Sequence, residues 1–254
     1  FQAAREDTTG RWAAFHFRSF DNPYISQEAL SEITQDMTRD AYRKEILAED
    51  DDLQTALLVY GAFNERTCKI PRFPIPQDWL RFVGHDFGTA NPAALFLALD
   101  PATGLFYAYQ EYLPGAGKGT AQNVEAFKEI TRGQAVIKRV GGSHQEEEIR
   151  EAYRAHGWQI QEPKIHDVEA GIDRVYALHK LNKLFVFSDL YSYLSEKLSY
   201  SRKLSADYLP TDEIEEKSKY HLMDSERYIL SDFTPETVAH RRAGDPVVVL
   251  RRGW

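Results

Sequence analysis

The sequence is poor in cysteine and in long apolar runs, and both shortages limit what the protein can be. Cys68 is the only cysteine among 254 residues, so no internal disulfide can form. A chain without disulfides suits a reducing cytoplasm. No apolar run approaches the roughly 20 residues that cross a bilayer, and no signal peptide is visible. We therefore expect a cytoplasmic protein with no membrane partner.

The sequence also lacks the marks of several common functions. The formal charge is −8, so binding to nucleic acid would require a local basic face. The loop 115–120 is rich in glycine but lacks the Gly-x-x-x-x-Gly-Lys-Ser/Thr spacing of a phosphate-binding loop. No dinucleotide fingerprint follows a predicted strand, and the eight histidines show no zinc spacing with cysteine.

From residue 80 onward, the hydrophobic pattern predicts strands first and alternating helices and strands later. Strands are predicted up to Asp86 and over 93–99, 105–113, 135–140, 158–160 and 184–187, with helices over 121–132, 146–156, 168–181, 190–198 and 219–230. Short turns make the first three strands an antiparallel meander, whereas strands that alternate with helices run parallel. We therefore predict an α/β fold, a mixed sheet flanked by helices.

The first third of the chain has a different pattern. Helices are predicted over 26–35, with Ser26 as N-cap, and over 39–48. Three prolines within 66–79 predict an extended linker. We divide the chain into a small, mainly helical appendage (1–65), a linker (66–79) and a core domain (80–254). Because the chain begins with phenylalanine rather than methionine, we expect it to be a fragment of a longer protein.

Asp86 is the first candidate for chemistry. It ends an apolar strand, just before a turn that contains Gly88. A carboxylate in a buried sheet is costly unless a cation or hydrogen-bond donors compensate it. Asp86 is therefore either a metal ligand or an acceptor for the turn amides of Gly88 and Thr89.

Two further acidic positions could join it. Glu146 or Glu147 follows the fourth strand, and Asp224 lies on the last predicted helix. Each has a simpler interpretation, since acids favour the first turn of a helix and Asp224 could pair with Arg227. A meander-first sheet, however, brings its first strand beside its fourth, and a terminal helix can place an aspartate at that edge. Such a cluster of oxygen ligands would suit paired divalent metals that catalyse phosphoryl transfer.

Four segments are similar to a known family. The segments 19–25 and 42–49 look like the end of its ATPase domain, and Gly84-His85-Asp86-Phe87-Gly88 with Asn91-Pro92-Ala93 looks like the opening strand of its nuclease domain. The segment 221–228 resembles its closing helix, whose usual form is His-x-x-Asp-Ala-x-Arg-Tyr. The family is the large terminase subunit of tailed phages, the DNA-packaging motor. The resemblance covers nearly the whole chain.

The resemblance implies a ribonuclease H-like fold for 80–254 and an ATPase remnant in 1–65. It implies a metal-dependent endodeoxyribonuclease that cuts concatemeric double-stranded DNA with weak sequence preference. Asp86, Glu146 and Asp224 would be catalytic and would hold Mg²⁺ or Mn²⁺, as two ions, with Glu147 as the alternative second ligand. His221 would pack or orient rather than ligate. The portal protein and the small terminase subunit would be partners in the host cytoplasm.

The sequence departs from the family pattern at two points. The ATP-binding loop is missing, so we expect no ATP hydrolysis by this chain. The family often carries an aspartate at the end of the fourth strand, where this chain has Gly141-Gly142. Some members read Gly-Gly-x-x-x-Glu instead, and that pattern places the second ligand at Glu146.

Several basic residues could contact the DNA backbone, and two other functions are possible for this fold. The candidate contacts, each of which could also be an ordinary surface charge, are Lys138, Arg139, Lys197, Arg202 and Lys203. One alternative is another nuclease of the same fold, such as a junction resolvase or a ribonuclease acting on RNA–DNA hybrids. The other is a docking module of the motor that cleaves nothing, which the acidic net charge favours.

Overall fold

The computed structural model describes residues 9–13, 15, 17–34, 46, 57–88, 92–205, 210–231 and 233. The chain forms two compact units, 1–56 and 57–254. In the first unit, a 3₁₀ turn (Ser19–Asp21) precedes helix α1 (Gln27–Thr34), and the Ser26 hydroxyl accepts a hydrogen bond from the amide of Ala29. The predicted helix over 39–48 lies outside the described residues, apart from Ile46.

The second unit holds the predicted strands and helices. Its strands are β1 (Lys69–Ile70), β2 (Leu80–Asp86), β3 (Ala93–Leu99), β4 (Phe106–Tyr112), β5 (Val136–Gly141), β6 (Leu184–Phe187), β7 (Arg202–Leu204) and β8 (Pro210–Ile214). Its helices are α2 (Glu65–Cys68), α3 (Thr120–Ile130), α4 (Glu147–Ala155), α5 (Val168–Lys180), α6 (Tyr191–Ser199) and α7 (His221–Leu230), with 3₁₀ turns at His144–Glu146 and Lys217–Lys219. Among the described residues, none of the helices is both long and apolar enough to cross a membrane.

Six of the strands form one mixed sheet in the order β1-β6-β4-β3-β2-β5. Strands β2, β3 and β4 pair antiparallel, whereas β5 runs parallel to β2, and β6 runs parallel to both β4 and β1. The predicted meander is therefore confirmed, and its first strand lies beside the fourth. The segment 158–160 forms no strand; a single bridge joins Gln161 to Val140.

Helices cover both faces of this sheet. Every residue of β3 is buried, as expected for a strand at the centre of a covered sheet. On one face, the His85 ring lies 4.9 Å from the ring of Phe127 in α3. On the other face, Gly84 lies against the backbone of Ser225 in α7. Since side chains alternate along a strand, Asp86 lies on the α7 face.

The segment predicted as a linker, 66–79, is part of the second unit. It contains most of α2 and the edge strand β1, and Phe73 packs against Trp79 with ring centroids 5.9 Å apart. The buried guanidinium of Arg81 holds this segment by donating to the carbonyl oxygens of Pro76 (2.7 Å) and Trp79 (2.9 Å). The unit begins at Leu57, ahead of the predicted linker. The assignment of 1–65 to an ATPase remnant stays a prediction.

Candidate active site

Asp86 and α7 meet at the carboxyl end of β2. The Oδ2 atom of Asp86 accepts a hydrogen bond from Nδ1 of His221, the first residue of α7, at 2.7 Å. Burial raises the pKa of Asp86, the neighbouring carboxylates of Asp224 and Glu146 raise it further, and the hydrogen bond from His221 opposes them. Asp224 and Glu146 therefore lie near enough to Asp86 to disfavour its charged form, although the three residues are far apart in the chain.

The helix that carries Asp224 lies unusually close to the strand that carries Asp86. A Cβ atom on Gly84 would overlap the carbonyl oxygen of Ser225 and would lie 2.9 Å from the side chain of Ile229. Only glycine leaves room for this approach. The missing side chain of Gly84 thus sets the distance between β2 and α7.

Glu196 on α6 holds the same end of α7, next to His221. Its Oε2 atom accepts hydrogen bonds from the amides of Leu222 (2.8 Å) and Met223 (3.2 Å), two of the otherwise unpaired donors at the start of α7. Its Oε1 atom is buried with no hydrogen-bond partner. Burial raises the pKa of Glu196 to about 8 in spite of the two amide hydrogen bonds. Nothing in the helical pattern around Glu196 distinguishes it, so sequence reasoning missed it.

This buried carboxyl predicts a pH effect on stability. A glutamate in the unfolded chain ionises at about pH 4.3, so stability should fall as the pH rises from there to about 8, the folded-state pKa of Glu196. Glu196→Gln keeps an acceptor for both amides and removes the titration. We expect the difference in melting temperature, variant minus wild type, to increase between pH 5 and pH 8. Glu213→Gln, at an exposed glutamate, is the control; parallel curves for Glu196→Gln and wild type would contradict the assignment.

Asp224 has a cation of its own. Its Oδ1 atom accepts a hydrogen bond from Nη2 of Arg227 at 2.8 Å, so the simpler interpretation of Asp224 as an ion-pair partner holds in this structure. The Arg227 side chain is 4% exposed and the Asp224 side chain 17%. Asp224 is thus held by Arg227 and remains partly accessible.

The structure distinguishes Glu146 from Glu147. Glu146 ends the 3₁₀ turn, and its Oε2 atom accepts a hydrogen bond from the amide of Ser143. Glu147 accepts a hydrogen bond from Arg150 Nε at 2.8 Å and lies 3.5 Å from Arg154 Nη2. The hydrogen bond from Arg150 lowers the pKa of Glu147. Since Glu146 also acts on the pKa of Asp86, these contacts favour Glu146 over Glu147 as the third carboxylate.

The donor set suits a hard divalent cation in chemistry and charge. The carboxylates of Asp224 and Glu146 act on that of Asp86, and hard cations prefer such oxygen ligands. In the part of the chain that is described, no group of three or more His, Cys, Asp or Glu side chains is already arranged to hold a metal ion. Each carboxylate holds a protein donor instead, namely His221, Arg227 or the Ser143 amide. A bound ion would therefore replace at least some of these donors.

The prediction that Lys197 contacts DNA is wrong. Lys197 is fully buried, where its Nζ atom pairs with Glu226 Oε2 and lies 3.0 Å from His179 Nε2. The Tyr193 hydroxyl donates to the other oxygen of Glu226, and Lys197 Nζ lies 4.1 Å from the centre of the Tyr60 ring. Burial lowers the pKa of Lys197 to about 8. The lysine belongs to a buried ionic cluster that joins α5, α6 and α7.

The other predicted DNA contacts are only partly available. The guanidinium of Arg139 stacks on Trp158 at 4.1 Å, on the face of the sheet opposite Asp86. Arg202 donates to both carboxylate oxygens of Glu169. Lys203 pairs with Glu213 at 3.1 Å but is 55% exposed. Lys138 is half-buried on the edge strand β5.

Comparison with solved structures identifies the architecture. The chain is similar to the large terminase of the thermophilic bacteriophage D6E, with a TM-score of 0.62 and 18% identity, over 87% of this chain and 56% of that one. The chain has the fold of a large terminase nuclease domain. The nuclease domain of the phage P22 large terminase matches with a TM-score of 0.55 and 18% identity, over 69% of this chain and 93% of that domain. The corresponding domain of bacteriophage SPP1, solved with bound manganese, matches with a TM-score of 0.51 and 16% identity, over 65% of this chain and 96% of that domain.

The terminase nuclease fold confirms the predicted ribonuclease H-like sheet. This chain spans 56% of the length of the D6E large terminase. No protein-family model matches the sequence, and no curated protein matches it either. At identities of 16–18% these likenesses establish the fold, and the chemistry has to be argued from the side chains.

Proposed function

We propose that this chain is a divalent-metal-dependent endonuclease of a phage DNA-packaging motor, which cuts concatemeric double-stranded DNA with weak sequence preference. The observation that carries the proposal is the contact of Asp86, at the end of β2, with the first residue of α7, the helix that carries Asp224, in a sheet with the terminase nuclease fold. The manganese bound to the SPP1 nuclease domain supports the use of a divalent metal. The portal protein, the small terminase subunit and the host cytoplasm follow as proposed partners and location.

The three carboxylates would hold Mg²⁺ or Mn²⁺, as two ions. When bound, such ions activate water and stabilise the leaving oxygen of the phosphodiester. The protein residues orient the ligands. His221 fixes the Asp86 carboxylate through one of its two oxygens, and Arg227 holds Asp224 from within α7. Partners of this kind commonly set both the position and the affinity of a metal ligand.

Lys138 is the best-placed DNA contact that remains. It pairs in register with Phe82, and so lies on the α7 face of the sheet, which Gly84 and Asp86 share. Burial and the neighbouring charge of Lys164 lower the pKa of Lys138 to about 8, as expected where two cations are held close together. Such cations bind phosphate without reading the bases, which is the basis of the weak sequence preference. We keep Lys203 and Arg202 as further proposed contacts.

The function is tested by metal removal in a plasmid-nicking assay. We expect the wild-type chain to convert supercoiled plasmid to nicked and linear forms with Mn²⁺ or Mg²⁺. Excess chelator should abolish this activity, because the carboxylates alone supply no Lewis acid to activate water. Plasmids of unrelated sequence should be cut at similar rates. No cleavage under any metal condition would contradict the proposal, and a preference for four-way junctions or RNA–DNA hybrids would favour another nuclease of this fold.

The pairing of every carboxylate with a protein donor favours a second candidate, a docking module without nuclease activity. In that case the acids are structural and bind no ion. Calorimetry with Mn²⁺ decides between the two. Saturable binding that Asp86→Ala removes supports the nuclease. Absence of binding, together with a stable complex with a portal protein or small terminase subunit, supports the docking module.

A further inference from the structure

A buried arginine lies behind the turn that leads to Glu146. Arg150 belongs to α4, and 2% of its side chain is exposed. Its Nη1 atom donates to the carbonyl oxygens of Ser143 (2.8 Å) and Gly141 (3.3 Å), and its Nε atom donates to Glu147 (2.8 Å). A single guanidinium therefore joins the end of β5, the turn that follows it and the first turn of α4.

The turn is enclosed on two sides. Gly142 has a φ of +74°, a conformation that favours glycine, and a Cβ atom there would overlap the ring of Phe87 and lie 3.2 Å from Arg150 Nη1. Phe87 in turn stacks on Tyr153 of α4, with ring centroids 5.3 Å apart. The turn cannot shift without breaking these contacts and leaving a buried guanidinium short of acceptors, which is costly.

Glu146 is attached to the same turn by two hydrogen bonds. The Ser143 amide donates to the Glu146 carboxylate, and the Glu146 amide donates to the Ser143 carbonyl oxygen at 3.1 Å. That carbonyl oxygen is also the one that Arg150 holds at 2.8 Å. The position of the Glu146 carboxylate is thus fixed through Ser143 by a group that does not touch it.

We propose that Arg150 is a positioning residue for the candidate metal site, which holds the Gly141–Ser143 turn and through it presents Glu146 to the ion. In this arrangement Glu147 orients Arg150 and is not a ligand, which accounts for two adjacent glutamates with separate partners. Lysine cannot replace the arginine, because a point charge cannot span two carbonyl oxygens and a carboxylate. The inference rests on the proposed function.

The test measures binding of Mn²⁺ alone by calorimetry, in parallel with nicking at increasing Mn²⁺ and with the melting temperature of metal-free protein. The variants are Arg150→Lys, Glu146→Gln and the control Arg154→Lys, which makes the same change on the same helix at a half-exposed residue. We expect Arg150→Lys to weaken Mn²⁺ binding by about 10- to 100-fold, as for other residues that orient metal ligands. High Mn²⁺ should restore most of its nicking rate, Glu146→Gln should weaken binding at least as much, and Arg154→Lys should match wild type.

The outcomes separate the inference from the proposed function. If Asp86→Ala and Glu146→Gln weaken Mn²⁺ binding while Arg150→Lys binds like wild type, the positioning role is wrong and the nuclease proposal stands. If wild type binds no Mn²⁺, both fail. If Arg150→Lys does not fold, Glu147→Gln carries the test, since it removes only the negative charge of the exposed partner of Arg150. That variant should weaken Mn²⁺ binding several-fold, and wild-type affinity for it would overturn the inference.

Discussion

Asp86→Ala and Asp224→Ala should each reduce Mn²⁺-supported plasmid nicking by at least about 100-fold, since loss of a ligand exceeds the 10- to 100-fold cost of losing a residue that only orients one. Asp86 ends β2 under the first residue of α7, and the Asp224 carboxylate acts on its pKa from the same helix. Removing either carboxylate takes away both an oxygen ligand and a negative charge from the position where an ion would lie.

The matched control for this pair is Asp189→Ala. Asp189 is also ion-paired, to Arg72, but its side chain is 41% exposed and it follows β6 rather than β2. We expect the Asp189→Ala protein to nick plasmid at the wild-type rate. If Asp86→Ala and Asp224→Ala also cut at wild-type rates, the assignment of the active site is wrong, and the cleavage comes from other residues.

Lys197→Met should lower the free energy of unfolding by about 3–5 kcal/mol, the usual cost of leaving one member of a buried ion pair without its partner. Methionine fills similar space and cannot neutralise Glu226, whose side chain is fully buried. Chemical denaturation at pH 7 measures the loss. Lys203→Met, which removes the same charge from an exposed pair, should change stability by less than about 1 kcal/mol.

The double variant Lys197→Met with Glu226→Gln identifies the cause. If the loss comes from the uncompensated carboxylate, removing that charge should recover much of the stability. A double variant as unstable as Lys197→Met would mean that lost packing around Tyr60 and Tyr193 is responsible. A Lys197→Met protein as stable as wild type would contradict the burial of this lysine.

The sequence predicts the central strands of the sheet well because β2, β3 and β4 have seven residues each. Strand β3 is buried at all seven positions, so its continuous apolar run predicts a strand clearly. Three strands joined by short turns predict an antiparallel meander. Asp86 and Asp224 are conspicuous for the same reason, since each is an acid among residues that should be buried. The elements that carry them meet because α7 packs on β2.

Other features could not be read from the sequence. Lys197 looks like a solvent-facing residue because the partner that permits its burial, Glu226, lies 29 residues away on another helix. Glu196 acts through backbone amides of α7, which no pattern of side chains reveals. Strand β1 has two residues, too few to show a period, so its prolines suggest a linker instead. Helices and strands with a hydrophobic repeat can be predicted from the sequence, whereas side chains whose role depends on a partner far away in the chain cannot.

The contact between Gly84 and Ser225 implies that main-chain atoms help to fix the gap between β2 and α7, the elements that carry the two aspartates. Substitutions elsewhere in the interior can then change the free energy of unfolding while leaving that gap unchanged. An engineer who repacks this protein should leave Gly84 untouched, because even one added methyl group would push α7 outward.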